Sequence, residues 1–458
     1  MKREGTRPQK SSAQLELAFG DSGETATAKA SAEVSSKGRE TCHSGASREI
    51  EKVCERQNLL AALERVRRNA GSPGIDGMTV EELPGFLREA WPQIREQLLA
   101  GRYQPHPVLR VTIPKPEGGE RELGIPTVLD RFIQQAVLQV LQPRFDPTFS
   151  DHSYGFRPGR RAHDAVRRAQ GYIQAGRRWV VDLDLEKFFD RVNHDILMGR
   201  LKRRIADRRM LVLIRRYLAA GILADGVVLE RYEGTPQGGP LSPLLANVLL
   251  DEVDRELEKR GHAFVRYADD LNVYVKTRRA GERVMQSMHR LYARLRLRIN
   301  AAKSAVARAV ERKFLGFSYW VGPGKEVKRR VAPQALQRLK NVIRDRTRPT
   351  VGRSLPQVCE GLRDYLLGWK GYFQLAQTPK IFRDLDEWIR HRLRALQLRH
   401  WKRGTVIFRE LRARGMSVDA ARRVARNGRR WWHNSAMAIH IALPNSYFDG
   451  LGLPRLAA

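Results

Sequence analysis

Apolar positions repeat at helical spacing in the segment that follows residue 50. The apolar side chains that share this face are Leu59, Leu60, Leu63 and Val66. Charged side chains occupy most of the opposite face, so the period predicts an amphipathic helix, which a Gly-Ser-Pro-Gly cluster at 71–74 ends. Residues 1–46 carry few large apolar side chains. Because such a segment buries too little surface to offset its ordering entropy, we expect it to be disordered, with order beginning near Glu51.

Short β-rich runs alternate with helical runs between about residues 103 and 320. The predicted strands cover residues 108–113, 179–185, 264–267 and 271–275. The predicted helices cover residues 130–141, 194–201 and 244–259. The last two strands follow one another closely, which is typical of an antiparallel hairpin, and the order of elements is not a uniform βαβ array. The pattern therefore predicts an α+β fold.

Three amphipathic helices are predicted in succession from residue 334 onward, where strand signals fade. They cover residues 336–343, 355–373 and 382–396, and their apolar stripes are expected to form the core of a small bundle. Residues 381–434 carry 15 Lys and Arg against 5 Asp and Glu. The interleaved aromatic residues are Trp388, Trp401, Trp431 and Trp432. A charge run is usually a solvated face, but single-signed charge beside aromatic rings favours nucleic-acid binding.

The whole chain of 458 residues carries 84 Lys and Arg against 50 Asp and Glu, a formal net charge of +34. Charge of this size repels itself unless something neutralises it, so it favours a polyanionic partner such as nucleic acid. A basic structural protein, such as a ribosomal component, would share this charge. No apolar run approaches the ~18 residues of a membrane span. Three separated cysteines and the absence of a secretory signal predict a cytoplasmic protein.

Two adjacent carboxylates, Asp269 and Asp270, lie between the two apolar runs of the predicted hairpin. Asp is a good turn former, and an isolated Asp-Asp pair at a hairpin tip is more often only a turn. Two like charges at one tip nevertheless repel each other, and a divalent metal ion is an economical way to compensate them.

A second acidic stretch follows the apolar start of the strand predicted at 179–185. Strand alternation puts Asp182, Asp184 and Glu186 on one face and apolar side chains on the other. A half-exposed strand with an acidic outer face is the alternative, and it fits poorly in a chain this basic. One strand-end carboxylate beside the hairpin pair would give three hard oxygen ligands for two Mg²⁺ ions, the arrangement that polymerases use.

A glycine-rich loop, Gly-Thr-Pro-Gln-Gly-Gly-Pro at 234–240, precedes the helix predicted at 244–259. Its glycines allow the backbone to approach a ligand closely, and its prolines stiffen it. Most such loops are only tight turns, so this loop alone is weak evidence for an anion site at the helix start.

Taken together, these stretches resemble the reverse transcriptases, or maturases, that bacterial group II introns encode. The matching blocks occur in the family's order: Gly-Ser-Pro-Gly-Ile-Asp-Gly at 71–77, Ile-Pro-Lys-Pro at 113–116, Arg-Glu-Leu-Gly-Ile-Pro at 121–126, Ser-Tyr-Gly-Phe-Arg-Pro at 153–158, the strand of Asp184, Thr-Pro-Gln-Gly at 235–238, Tyr-Ala-Asp-Asp at 267–270, Ile-Asn-Ala-Ala-Lys at 299–303, Phe-Leu-Gly-Phe at 314–317 and Gly-Trp-Lys-Gly-Tyr-Phe at 368–373. The resemblance runs across roughly residues 50–458, which is nearly the whole of the chain that we expect to be ordered.

The resemblance implies a right-hand polymerase with an α-helical thumb. Its expected parts are a disordered tail at 1–48, fingers and palm at 49–325, a thumb or maturase domain at 333–403 and a basic DNA-binding segment at 404–458. No paired cysteines follow Cys359. The chain therefore resembles the branch of the family that lacks an HNH endonuclease.

The resemblance also assigns roles to single residues. The metal ligands would be Asp184, Asp269 and Asp270, which are also the catalytic carboxylates, together with the carbonyl of Leu185. The nucleotide-binding residues would be Lys115, Arg121, Phe189, Gln237 and Lys303, with the Phe189 ring excluding a 2′-hydroxyl. Tyr267 and Ala268 would shape the primer-end side of the site. Arg390, Arg394 and Arg399 are expected to be exposed and to bind nucleic acid.

The family implies RNA-directed DNA polymerisation with two Mg²⁺ ions, dNTPs, a DNA primer and target DNA. It also implies binding of the parent intron RNA to assist splicing. Two alternatives stay open from the sequence. One is a domesticated relative in repair or defence, and the other is a non-enzymatic RNA-binding splicing factor that keeps a relic polymerase fold.

Overall fold

The computed structural model describes residues 48–114, 120–224, 227–229, 231–348, 352–427, 430–436 and 439–457. These residues belong to two compact units. The first unit takes the described residues up to Ala165 together with Val181–Val306, and the second takes Val166–Val180 and the chain from Ala307 onward. Among the described residues, no helix combines the length and the apolar character needed to cross a bilayer.

The helices that begin before residue 300 are α1 (Glu49–Val53), α2 (Arg56–Asn69), α3 (Leu83–Leu99), α4 (Val128–Phe145), α5 (Ala162–Gln174), α6 (His194–Lys202), α7 (Arg208–Ala219), α8 (Ser242–Lys259) and α9 (Arg278–Arg294). Local sequence explains several of their starts. The side chains of Thr127, Asn193 and Thr277 each accept a hydrogen bond from a backbone N–H in the first turn of α4, α6 and α9.

The strands up to residue 308 are β1 (Val108–Pro114), β2 (Glu120–Ile125), β3 (Trp179–Leu183), β4 (Ile222–Ala224), β5 (Val227–Leu229), β6 (Ala263–Tyr267), β7 (Asp270–Val275) and β8 (Ala305–Arg308). They form two four-stranded sheets, in the orders β2-β1-β4-β5 and β6-β7-β3-β8. In the second sheet, β6 and β7 are antiparallel, and their last pair toward the turn is Tyr267 with Asp270. The sheet order makes β7 the neighbour of β3, which brings both acidic stretches of the sequence to adjacent strands.

The second unit contains the antiparallel strands β9 (Lys313–Phe314), β10 (Phe317–Val321) and β11 (Val327–Val331), in the order β11-β10-β9. Its helices are α10 (Pro333–Arg346), α11 (Leu355–Phe373), α12 (Pro379–Trp401), α13 (Gly404–Ala413), α14 (Val418–Arg426), α15 (Trp431–Ser435), α16 (Ile439–Ala442) and α17 (Asn445–Gly450). The part of α5 in this unit contacts the small sheet, because Tyr319 Oη donates to the Val166 carbonyl at 3.0 Å.

The predicted strands and helices are confirmed, with longer helices than their apolar runs suggested. The strand predicted at 179–185 ends earlier, at Leu183, and Leu185 forms only an isolated bridge with Ile299. The three predicted C-terminal helices are α10, α11 and α12, and their apolar stripes are buried as expected except at Leu336, which is half-exposed. The two compact units divide the chain at other points, because residues 166–180 and 307–325 belong to the second unit. The predicted boundaries of the functional domains stay predictions.

Candidate active site

The acidic stretch, which begins within β3 and continues past its end, alternates as the sequence predicted. Val181, Leu183 and Leu185 are buried, whereas Asp182 and Asp184 are half-exposed on the other face. The apolar face anchors the strand in the core, so the backbone holds both carboxylates toward the opposite side.

A second segment, 298–304, pairs with this strand end. The Glu186 N–H donates to the Arg298 carbonyl and the Asn300 N–H donates to the Asp184 carbonyl, both at 2.9 Å. The carbonyl of Leu185, which lies between these two bonds, takes part in neither. The side chain of Lys303 comes from the same segment, and its Nζ lies 3.8 Å from Asp184 Oδ2. Lys303, a predicted nucleotide-binding residue, therefore lies beside the carboxylate of Asp184, and its role stays a prediction.

The β6–β7 hairpin presents the Asp pair at its tip. Ala268, in the turn, has φ of 59°, the left-handed region that non-glycine residues adopt at a cost. Asp269 follows in the turn, and Asp270 opens β7 beside the end of β3. The tip is therefore a tight, strained turn that fixes two carboxylates one residue apart.

The carboxylates of both strand ends act on one another electrostatically. Partial desolvation and the charges of Asp269, Asp184 and Asp182 raise the pKa of Asp270 to about 7, while Lys303 opposes the shift. With its amide nitrogen turned toward them, Asn272 donates to Asp182 Oδ1 at 2.9 Å. The structure thus brings together the three predicted catalytic carboxylates, and Asp182 lies beside them.

These oxygens fit a hard divalent cation in chemical type and in charge. Within the described residues, however, no three His, Cys, Asp or Glu side chains converge into a ready-made metal cluster. Mg²⁺ keeps several waters and is shared with substrate phosphates, so one or two carboxylates supply only part of its coordination in such sites.

A buried ion pair that sequence reasoning missed supports the Asp269 turn. Arg266 and Asp254 are both fully buried, and Arg266 Nε donates to Asp254 Oδ1 at 2.8 Å. The same guanidinium donates to Asn247 Oδ1 and to the Ala268 carbonyl, both at 2.9 Å. A charged residue inside the apolar run of β6 was the available signal, but alternation alone does not show that its side chain is buried.

Phe189 lies in a short 3₁₀ turn, Phe188–Asp190, just after the acidic stretch. Its ring is half-buried and meets the Phe188 ring edge-on at 5.1 Å between centroids. Its carbonyl accepts the N–H of Thr235 at 2.7 Å. The turn that carries the predicted steric gate is therefore fastened to the glycine-rich loop.

The same loop holds the predicted nucleotide contact Gln237. The Gly124 N–H donates to the Gln237 carbonyl at 3.1 Å, and a Cβ on Gly238 would lie 2.6 Å from the Gly124 carbonyl oxygen. Only glycine fits there, at φ of 143°. The loop thus packs its backbone between β2 and the Phe189 turn, and the Gln237 side chain is half-exposed.

Two further nucleotide-binding predictions cannot be placed. Lys115 lies outside the described residues. Arg121 pairs with Ile113 in the β1–β2 ladder through its backbone, and its side chain lies outside the described part. Their assigned roles stay predictions.

The three arginines predicted to be exposed on α12 differ from one another. The expectation is wrong for Arg390, which is 2% exposed and pairs with Asp386 and Asp449, each at 3.0 Å. Arg394 is half-buried, and its guanidinium donates to the Leu443 carbonyl and to Asn445 Oδ1, both at 2.9 Å. Arg399 is exposed as predicted and lies over the Trp431 ring at 4.7 Å. The helix period could not separate them, because the short helices that follow α12 cover part of its polar face.

The α+β body with carboxylates on two adjacent strand ends is the arrangement of a reverse transcriptase. Residues 113–319 match the family described as "Reverse transcriptase (RNA-dependent DNA polymerase)". Residues 336–415 match the family described as "Group II intron, maturase-specific domain". The chain belongs to the group II intron reverse transcriptase/maturase family, whose class of enzyme is RNA-directed DNA polymerase.

Two relatives by sequence support this assignment. Protein YkfC of Escherichia coli (strain K12) is 34% identical over 278 residues, which cover 52% of this chain and 73% of YkfC. Group II intron-encoded protein LtrA of Lactococcus lactis subsp. cremoris is 39% identical over 195 residues, which cover 42% of this chain but only 32% of LtrA. A solved partial Cas6-RT-Cas1--Cas2 complex is 28% identical with a TM-score of 0.35, over 53% of this chain and 42% of that one.

Proposed function

We propose that this chain copies RNA into DNA by adding dNTPs to the 3′ end of a DNA primer. The observation that carries the proposal is the meeting of Asp184 with Asp269 and Asp270 on adjacent strand ends, where partial desolvation and the neighbouring carboxylate charges raise the pKa of Asp270. The net charge of +34 suits binding of a polyanion, and these carboxylates supply the local negative charge that the proposed chemistry needs.

In this proposal Asp184, Asp269 and Asp270 hold two Mg²⁺ ions, to which the carbonyl of Leu185 contributes. When bound, the ions lower the pKa of the attacking 3′-hydroxyl and stabilise the leaving pyrophosphate. Lys303, whose Nζ is 3.8 Å from Asp184 Oδ2, supplies a cation near the phosphates. The anchored strand and hairpin keep these groups in place before substrate arrives, which lowers the cost of orienting the reactants.

The substrate contacts follow from the glycine-rich loop and from the Phe189 turn. Phe189 closes the space in which a 2′-hydroxyl would lie, and Gln237 contacts the incoming nucleotide. Lys115 and Arg121 bind its triphosphate. The bond between Thr235 and the Phe189 carbonyl couples the position of the gate to the position of the loop.

We further propose that the maturase-specific region binds the parent intron RNA and assists its splicing, and that residues 404–458 contact target DNA during intron mobility in the bacterial cytoplasm. The matched residues 336–415 and the basic, Trp-containing character of residues 381–434 support this assignment. The intron RNA carries out the splicing chemistry itself, so the protein is needed there only as a folded scaffold.

Primer extension on an RNA template tests the polymerase. The wild-type chain should extend a DNA primer with dNTPs only when Mg²⁺ is present, and EDTA should stop it. Asp269→Ala with Asp270→Ala should lower the rate by about 10³-fold or more, because grouped catalytic residues fail together. Asp195→Ala is a matched control, since Asp195 is an exposed acid outside the cluster. Normal extension by the double variant would remove the catalytic assignment, and splicing assistance by a wild-type chain that never extends primers would favour the non-enzymatic alternative.

A further inference from the structure

Phe156 has a strained backbone and an exposed ring. Its φ is 61°, in the left-handed region that bulky residues rarely adopt, and the residue is 44% exposed. A large apolar side chain gains nothing for folding from exposure, and the backbone conformation costs energy. Such residues persist where the surroundings enforce them, and they cluster at functional sites.

Both neighbours of Phe156 are fixed in place. A Cβ on Gly155 would lie 2.2 Å from the Ala268 nitrogen, and the Gly155 carbonyl accepts a hydrogen bond from Asn247 Nδ2 at 3.0 Å. On the other side Arg157 is buried, and its guanidinium donates to Asp146 Oδ1 at 2.8 Å and to the Ser150 carbonyl at 2.6 Å. The backbone on either side is therefore anchored, and it presents the exposed ring in a defined place.

That place is beside the turn that carries the catalytic carboxylates. Gly155 touches the backbone of Tyr267 and Ala268, and the Tyr154 N–H donates to the Arg266 carbonyl at 2.9 Å. Phe189 and Gln237 are held by a different part of the structure, the glycine-rich loop, which contains Gln237 and bonds to the Phe189 carbonyl. Phe156 thus belongs to the side of the site formed by Tyr267 and Ala268, and not to the side that we assign to the incoming nucleotide.

We propose that Phe156 is a nucleic-acid-binding residue whose ring packs on a nucleotide of the template–primer at the reacting end. The inference rests on the proposed polymerase function, since it takes the Asp269 turn as the reacting centre. An aromatic face is the surface on which nucleobases stack without regard to sequence, which suits a site that must move along any template. Its fixed flanks make the contact preorganised, so little side-chain freedom is lost on binding.

The test compares two substitutions of Phe156, one that removes the aromatic ring and one that keeps an aromatic ring. Phe156→Gly relieves the backbone strain, so the Tm should stay unchanged or rise. The same change removes the ring, so the Kd for a fluorescent RNA–DNA template–primer should rise by about 5- to 100-fold, the loss expected for one stacked base. Phe156→Trp keeps an aromatic face and should bind within about threefold of wild type. The KM for dNTPs should change much less than the template–primer Kd.

Two control variants match the two properties of Phe156. Phe86→Ala removes another exposed phenylalanine, 39% exposed on α3, and Lys325→Gly relieves another positive φ, of 63°. Both should bind template–primer like wild type. Unchanged affinity in Phe156→Gly, equal losses in the Gly and Trp variants, or an effect confined to the dNTP KM would each overturn the proposal. Affinity is measured without divalent metal, so a chain that binds but never extends primers refutes the polymerase assignment separately.

Discussion

At the scale of single residues, the backbone and the ring of Phe189 have separate roles. The carbonyl accepts the Thr235 N–H at 2.7 Å, which fastens the 3₁₀ turn whatever the side chain is. The ring is half-buried against Phe188 and is the part that would meet a ribose. A substitution can therefore change the ring without releasing the turn.

We expect Phe189→Val to raise the use of ribonucleotides relative to deoxyribonucleotides by about 10- to 100-fold, the range for changing steric fit in a pocket. The measurement is the ratio of kcat/KM for the two nucleotides with one base. Phe189→Tyr keeps the bulk and should keep the ratio. If the Val variant polymerises normally with an unchanged ratio, Phe189 is not the steric gate.

Arg266 illustrates how a buried charge can serve both folding and a site. Its burial and that of Asp254 cost desolvation, which their ion pair and the bond to Asn247 offset. One more N–H of the guanidinium donates to the Ala268 carbonyl in the turn that carries Asp269. The bonds to Asp254 and Asn247 stabilise the fold, and the bond to the Ala268 carbonyl helps to hold Asp269 in position.

A double substitution separates these two tasks. Arg266→Met alone should lower the free energy of unfolding by about 3–5 kcal/mol, because it strands a buried carboxylate. Adding Asp254→Leu should restore most of that stability in a urea titration, since an apolar pair of similar volume is often as stable. The bond to the Ala268 carbonyl is still missing, so kcat should stay low. Recovery of kcat together with stability would show that Arg266 has only a structural role.

At the scale of elements, one face of α12 carries arginines with different tasks. Arg390→Ala should lower the free energy of unfolding by about 1–3 kcal/mol, because it removes a buried guanidinium from Asp386 and Asp449. The loss is limited because Asp386 still accepts the Leu456 N–H and Asp449 still pairs with Arg455. Arg399→Ala removes only an exposed cation over Trp431, which contributes about 0.5–1 kcal/mol. RNA affinity should show the opposite order once both variants are compared well below their unfolding midpoints. Equal RNA affinity of Arg399→Ala and wild type would exclude Arg399 from the interface.

The elements themselves could be predicted from the sequence because their periods are local. The alternation at 181–185 predicted the first acidic strand, and the paired apolar runs around Asp269 predicted the hairpin that carries the second. The partners of Arg266 could not be found this way, since Asp254 and Asn247 lie on α8, and only the packing of that helix against β6 decides the contacts. The short helices after α12 were missed because four to ten residues hold too few turns for a helical period to stand out.

At the scale of the whole molecule, the net charge of +34 should make nucleic-acid affinity steeply dependent on salt. Each phosphate neutralised contributes a slope of about −0.7 to −0.9 in log K against log salt. Replacing the exposed residues Arg399, Arg422 and Arg423 by Ala should reduce the magnitude of the slope by about two to three for intron RNA. Asp184→Asn should leave the slope unchanged and should still assist splicing in trans, since it affects only the polymerase. Loss of RNA affinity by Asp184→Asn as large as that of the arginine variant would show that the two functions are not separable.

The second unit is assembled from two stretches of chain that are far apart in sequence, and this affects how it can form during synthesis. Val166, Ala169 and Ile173 are buried in this unit, yet Tyr319, which donates a hydrogen bond to the Val166 carbonyl, is made 153 residues later. At ribosomal speeds of about 5–20 residues per second, that apolar segment waits about 8–30 s for its partner. During translation, α5 is therefore exposed before the strand that contains Tyr319 has been made. A ribosome-associated chaperone that shields apolar faces would find its binding segment there, well before helices α10 to α12 leave the exit tunnel.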